Sequence, residues 1–425
     1  MESTATQRES GLYTHQLANG LQLLGQLMPD VESAAAIFWV NTGTRDERPG
    51  QMGVSHFLEH MAFKRTEHYT SQQIDRLFEQ MGADHNAATS REMTFYWVRV
   101  LSDSVEPAIE ILSELTHPVL DKDDFDHERN VILEEIARSE DQPTQVLFTK
   151  FLHDYFGEHP LSLEILGTPE TIKALDVEEM RSYWSHRYGT RNLLFAIAGK
   201  FDWDSVVSEL DRLSHGWESG DGGRPRLRAP FRPGLHVEKR DQFAQEQIAI
   251  AVPSVDRTDP RYYAAAILAT ILGDDRGSRL YWSVYQTGLA ETVSAEPMEF
   301  EDNGMMLVHL ATEPALAAEA VRVVRAELDK MQTFDIIPEE LERAKTKLKA
   351  SVIIGGESTN ERVMGLINSW LSVGKLETLE EMRDKIDAVT LEDLRALLEE
   401  FPLGPDQLVT AVGPLTDTDL VVALQ

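Results

Sequence analysis

Three separate stretches of this 425-residue chain recur at one offset, and that coincidence constrains its fold more than any other feature. Residues 192–206 (NLLFAIAGKFDWDSV) resemble 406–420 (DQLVTAVGPLTDTDL), which sets Gly199 against Gly413, 214 positions later. The pairs Glu128-Arg129 and Glu342-Arg343 keep the same 214, and so do the strand-like runs Ala34–Val40 and Ile248–Ser254. One offset held at three places reads as an internal duplication. Between the copies, Glu218 to Gly234 (ESGDGGRPRLRAPFRPG) has no periodicity and is rich in Gly, Pro and Arg, the marks of a linker. The expected organisation is a domain over 1–217, a linker over 218–234 and a homologous domain over 235–425.

Within the first copy, Leu21–Leu27, Ala34–Val40, Thr94–Val100 and Leu193–Ala198 read as strands. Gly50–Phe63, Ser71–Met81, Asp103–Leu115, Asp123–Ser139, Thr144–Phe156 and Val177–Arg187 carry helical periodicity. Adjacent strands followed by paired helices predict an α+β fold: two homologous domains, each a β-sheet with helices packed on one face.

The chemistry concentrates in Val54–Phe63 (VSHFLEHMAF). Val54, Phe57, Leu58, Met61 and Ala62 make a wide apolar face, and the strongly polar groups left are His56, Glu59 and His60. A helix apolar on its flanks is buried, and an unpaired buried carboxylate is costly, so something must compensate these three groups. A divalent cation does so. His56 and His60 stand at i and i+4, with Cβ atoms roughly 5–6 Å apart on one face. Glu59 beside them can face the open coordination position. The pattern is H-x-x-E-H, the inverted zinc-protease helix. The chain has no cysteine, so any metal must be held by His, Asp or Glu.

Catalytic zinc takes three protein ligands and water. The helix Asp123–Ser139 (DDFDHERNVILEEIARS) supplies the third. Its apolar stripe runs through Phe125, Ile132 and Ile136, and Glu128 and Glu135 flank that stripe while Glu134 turns toward His127, Asn130 and Arg138. Glu135 is the expected ligand. Glu128, two turns earlier on the same face, suits a role orienting a ligand.

These residues carry a family resemblance. His56-Phe57-Leu58-Glu59-His60-Met61-Ala62-Phe63-Lys64, followed by Glu135 seventy-five residues after His60, resembles the pitrilysin-type (M16) zinc metallopeptidases, including the processing-peptidase β-subunit branch. Asn19-Gly20, Gly43-Thr44-Arg45-Asp46-Glu47, Asn86-Ala87-Ala88-Thr89 and Glu128-Arg129-Asn130-Val131-Ile132 match as well. The resemblance implies one Zn²⁺ per chain on His56, His60 and Glu135, Glu59 as general base, Glu128 as support, and substrate backbone received at Asn86 and Ala87. It implies a peptide chamber completed by a second homologous chain, either a zinc-lacking subunit in a heterodimer or a copy in a homodimer. The second half departs from the family pattern. Tyr285 and Glu291 stand near the positions of an Arg and a Tyr that clamp substrate. At the 214 offset, His56, Glu59, His60 and Glu135 meet Thr270, Gly273, Asp274 and Lys349, so the second copy is expected to lack the metal.

Forty basic against seventy-two acidic side chains give a net charge of −32, which argues against nucleic-acid and membrane partners. The polar start (MESTATQRES) has no apolar signal core, and a cytoplasmic home fits. The reading is a zinc endopeptidase acting on extended peptides. Its rival, a non-catalytic structural or assembly subunit, predicts decayed metal residues, whereas all four are present.

Overall fold

The computed structural model of the protein describes residues 6–7, 11–220, 222–274, 276–404 and 406–424. Asp221 of the linker, Asp275 and eight residues of the polar start lie outside the described residues.

The chain forms two compact units, and neither is contiguous in sequence. The first takes the chain up to Ala137 together with Leu163–Pro225 and Ile354–Thr378; the second takes Arg138–Ser162, Arg226–Ile353 and the chain from Leu379. A simple cut into 1–217 and 235–425 therefore misassigns two segments. The reason is visible in the strands.

Among the described residues the first unit holds seven strands: β1 (Thr6–Gln7), β2 (Leu12–Gln16), β3 (Gln22–Leu27), β4 (Ser33–Val40), β5 (Asp84–Thr89), β6 (Thr94–Leu101) and β7 (Leu193–Gly199). They lie in the order β1-β2-β3-β7-β4-β6-β5, with β3 parallel to β7 and the other pairs antiparallel. In β4 the run AAAIFWV has no polar alternation, the pattern of a strand covered on both faces. Phe38 and Val40 join the helices Val54–Ala62, Ser71–Met81, Val105–Leu115 and Lys122–Ser139 in one core. Ala35, Ile37 and Trp39 point the other way, with Leu194 and Ala196 of β7. That second face is covered by the helix Thr359–Val373, through Val363, Leu366 and Ile367. Spacings of three and four put these on one stripe.

The second unit repeats the plan with β8 (Gly234–Lys239), β9 (Glu246–Pro253), β10 (Thr292–Glu299), β11 (Gly304–Thr312) and β12 (Leu408–Gly413) in the order β10-β11-β9-β12-β8. β8 runs parallel to β12 as β3 does to β7, and β12, β9, β11 and β10 pair antiparallel in turn. The topology of β3-β7-β4-β6-β5 is thus repeated in β8-β12-β9-β11-β10, as a duplication requires. Here the outer face (Ala249, Ala251, Leu307, Leu408) is covered by Leu147, Phe151 and Leu152 of the helix Pro143–Phe156. Each half of the sequence lends one helix to the sheet built by the other half. Among the described residues, no helix is long and apolar enough to cross a membrane.

One expected boundary shifts for a plain reason, and one strand is added. The helix expected from Gly50 begins at Val54, because Gly50 and Gly53 both take φ of 91°, outside helical geometry. Asp84–Thr89, outside the expected strands, forms the edge strand β5.

Leu366 is fully buried, so Leu366→Ala should cost about 2–5 kcal/mol. Hydrogen exchange should locate the loss in β3, β4 and β7 rather than in β9 and β12, although residue 366 belongs to the second half of the sequence. Loss centred on the second sheet would contradict the exchanged helices.

Candidate metal centre

The helix Val54–Ala62 starts without a capping side chain of its own, since its N-cap is Gly53. A Cβ on Gly53 would lie 2.6 Å from the Leu166 carbonyl oxygen, and one on Gly167 would lie 2.3 Å from that of Met52. The start of the helix is therefore packed backbone against backbone. The orphan amides are met from a distance: the Glu47 carboxylate accepts from the N–H groups of Gly53 and Ser55, at 2.8 Å each. Ser55 and Tyr183 share a hydroxyl hydrogen bond of 2.7 Å. Downstream, Val54, Phe57, Leu58, Met61 and Ala62 are fully buried. Phe57 stacks on Phe125 of the helix Lys122–Ser139, with ring centroids 4.4 Å apart.

That stack brings the two helices together where the polar residues face each other. His56 Nε2 lies 3.7 Å from Glu135 Oε1, and His60 Nε2 lies 3.6 Å from Glu135 Oε2. The donor atoms of His56, His60 and Glu135 all lie within 4.8 Å of one another, the one such cluster among the described residues. Separations of 3.6 and 3.7 Å are too long for hydrogen bonds. Two ligands of one tetrahedral zinc, each at about 2.0–2.2 Å, stand roughly 3.3–3.5 Å apart. The residues fit a small divalent ion.

The surroundings favour ligation. Glu128 is 2 % exposed and accepts a hydrogen bond from His60 Nδ1 at 2.8 Å, which leaves the Nε2 lone pair for the cluster. Lys64 lies 2.6 Å from its other oxygen. Burial raises the Glu128 carboxyl, but its bonds to His60 and Lys64 outweigh that and hold it below the usual range. Burial, then the neighbouring His60, push the His56 imidazole down to about 3, so it is neutral and free to ligate. His60 behaves oppositely: burial pulls it down, but the bond to Glu128 and the charges of Glu135 and Glu59 raise it overall. Three carboxylates around one imidazole favour a cation there, and a proton and a metal ion compete for that place.

Glu59 stands apart from the ligand cluster and accepts a 2.6 Å hydrogen bond from the Thr89 hydroxyl. Burial raises its pKa, against the pull of Thr89 and His60. Thr89 ends β5, the edge strand of its sheet. Asn86 and Ala87 lie on the same strand, opposite Trp97 and Tyr96 of β6. The exposed Asn86 accepts, through Oδ1, from the N–H of Ala87 at 2.9 Å.

Sequence reasoning missed Thr89, Lys64 and Glu47. Thr89 shares a strand face with Ala87, two residues away, so the strand assignment would have found it. Glu47 carries no local signal, because it caps from seven residues before the first helical residue. In the second unit, Asp274 pairs with Lys347 at 2.9 Å and Lys349 with Asp387 at 2.5 Å. Tyr285 and Glu291 line a cavity of about 390 Å³ with Asp274, Arg276 and Tyr281; Tyr285 stacks on Tyr281, and Glu291 accepts from the Gln245 amide.

Comparisons with known proteins bear on the family of the chain. Residues 26–169 match the family model described as insulinase (peptidase family M16), and residues 174–348 match that of the M16 inactive domain. An uncharacterized zinc protease of Streptomyces coelicolor is 31% identical over 415 residues, covering 94% of this chain and 89% of the relative. One from Mycobacterium leprae is 32% identical over 401 residues, covering 93% and 90%. The crystal structure of a protease from Helicobacter pylori shares the fold, with a TM-score of 0.87 at 23% identity over 94% of this chain and 98% of that one. With a H-x-x-E-H helix facing a glutamate helix, and with these matches across nearly its whole length, the chain belongs to the M16 peptidase family.

Proposed function

We propose that the protein is a zinc-dependent endopeptidase that cleaves peptides or unfolded segments bound in extended form. The observation that carries this reading is the meeting of His56, His60 and Glu135 beside a separate carboxylate, Glu59, that is no part of the ligand cluster. A purely structural zinc site has four protein ligands and no free base.

In this reading His56, His60 and Glu135 hold the metal. Zinc in such a site supplies Lewis acidity, lowering the pKa of water toward about 7 and polarising a peptide carbonyl. Glu59 removes the proton of the attacking water and returns it to the leaving amine. Burial raises the Glu59 pKa toward the operating pH, where a general base and acid is most effective. Thr89 keeps its carboxylate aimed. Glu128 holds His60 in the ligating tautomer.

The substrate adds as a strand along the free edge of β5 near Asn86 and Ala87, using backbone pairing that accepts varied side chains. Because Asn86 covers the Ala87 amide, binding exchanges that contact for one from the substrate. A second homologous chain, a copy of this one or a zinc-lacking relative, completes the chamber. Light scattering separates the two: a monomer that does not pair with itself needs the unlike chain.

Glu59→Gln should keep stoichiometric zinc and lose cleavage of a quenched fluorogenic peptide by roughly 10²–10⁴-fold. Wild-type activity should vanish with a chelator and return with zinc. Full activity in Glu59→Gln removes Glu59 from its role, and chelator-insensitive cleavage removes the metal from the reaction.

A second outcome concerns pH. Cleavage requires Glu59 ionised, so the acid limb of the rate profile should lie above the ordinary carboxylate range. The Thr89 bond lowers the Glu59 pKa. Thr89→Val should therefore move that limb to still higher pH and lower the rate most on its acid side. An unshifted limb would argue that another group sets it.

A further inference from the structure

We infer that Glu47 is a positioning residue for the metal helix, and that Arg224, at the junction of the two halves of the sequence, holds Glu47's loop in place. The inference rests on the zinc reading above. It starts from tolerance. A metal site demands ligand distances within about 0.2 Å. Side chains on a helix reach roughly 5–6 Å from its axis, so a rotation of about 10° moves a ligand atom by about 1 Å. The helix Val54–Ala62 must be fixed in rotation to within a few degrees.

Its hydrophobic face, with the stack of Phe57 on Phe125, sets where the helix lies, and directional hydrogen bonds are what hold its remaining rotation. Glu47 supplies them. Its two oxygens accept separately from Gly53 and Ser55, whose amides lie at different angles around the axis, and Ser55 directly precedes His56. Burial raises the Glu47 pKa to about 8, against the pull of these amides, so the hold is by the two hydrogen bonds. Glu47 is 6 % exposed, so water cannot replace either bond easily.

The adjoining residue, Asp46, faces the other way into a buried ionic cluster. Arg224 donates Nε to Asp46 Oδ1 at 2.9 Å and Nη2 to Oδ2 at 2.5 Å, a two-pronged grip. Arg187 lies 3.0 Å from the same carboxylate, and Asp46 accepts from the Gly43 amide at 3.1 Å. Arg224 Nη2 also donates to the Glu92 carbonyl oxygen at 2.8 Å, while Glu92 pairs with Arg45 at 2.5 Å. Glu92 lies in the turn between Thr89 and Thr94. One guanidinium therefore ties the loop that caps the ligand helix to the turn beside the partner of Glu59. The side chains of Arg45, Asp46, Glu92, Arg187 and Arg224 are all buried, where removing one partner of a charged pair is costly.

Two conservative variants test this. Glu47→Gln replaces one acceptor oxygen with an NH₂ that cannot accept, and Arg224→Lys keeps the charge but removes the planar fork. Each should raise the zinc dissociation constant, read by chelator competition, by about 10–100-fold. Each should speed amide exchange at Gly53 and Ser55 in the metal-free protein. At saturating zinc, kcat should fall with KM unchanged. Should Glu47→Gln fail to fold, Arg224→Lys carries the test. Folded variants with zinc affinity within about twofold of wild type and unchanged Ser55 exchange would overturn the inference. If the wild-type protein itself binds no zinc, the functional reading falls, while the Ser55 exchange still judges the brace.

Discussion

The stack of Phe57 on Phe125 is the contact on which the metal centre depends. Both rings are buried, and each sits within one turn of a polar residue of the site: Phe57 between His56 and His60, Phe125 three residues before Glu128. Aromatic pairs of this kind are strong and have a preferred geometry. Once the rings meet, the facing sides of the two helices must accommodate two imidazoles and two carboxylates in a small space. The hydrogen bond from His60 to Glu128 relieves part of that crowding, and the remaining three donors are left converging. The site follows from ordinary core packing with polar groups placed one step beyond it.

The electrostatics extend the same logic. His56 is kept neutral by burial while His60 is kept basic by carboxylates, although the two rings stand 4.6 Å apart. Neighbouring like groups thus differ through their second neighbours. Lys64 offsets part of the charge of Glu128.

Much of this was legible in the sequence, and the remainder has identifiable causes. The H-x-x-E-H helix announced itself because polar groups stood on an otherwise apolar segment. Glu135 followed from its place beside the stripe of Phe125, Ile132 and Ile136. The duplication followed from one repeated offset, and the repeated strand order agrees with it. β5 was missed as a strand because DHNAAT has few β-branched or aromatic residues and no alternation. The Glu47 cap was missed because it is made across a loop. The exchanged helices were missed for a deeper reason: amphipathic spacing reveals that a helix has a buried face, and says nothing of which sheet receives it. The unbroken apolar runs of β4 and β9 are the pattern of strands covered on both faces, whereas the sequence reading expected helices on one face.

That exchange has a consequence for biosynthesis. The last strand of the first sheet, β7, ends at Gly199, whereas the helix that covers its outer face begins at Thr359, 160 residues later. At roughly 5–20 residues per second on the ribosome, the face bearing Ile37, Trp39 and Leu194 waits about 8–32 s for its cover. The nascent first half is therefore a sticky intermediate, in need of shelter until the chain is nearly complete.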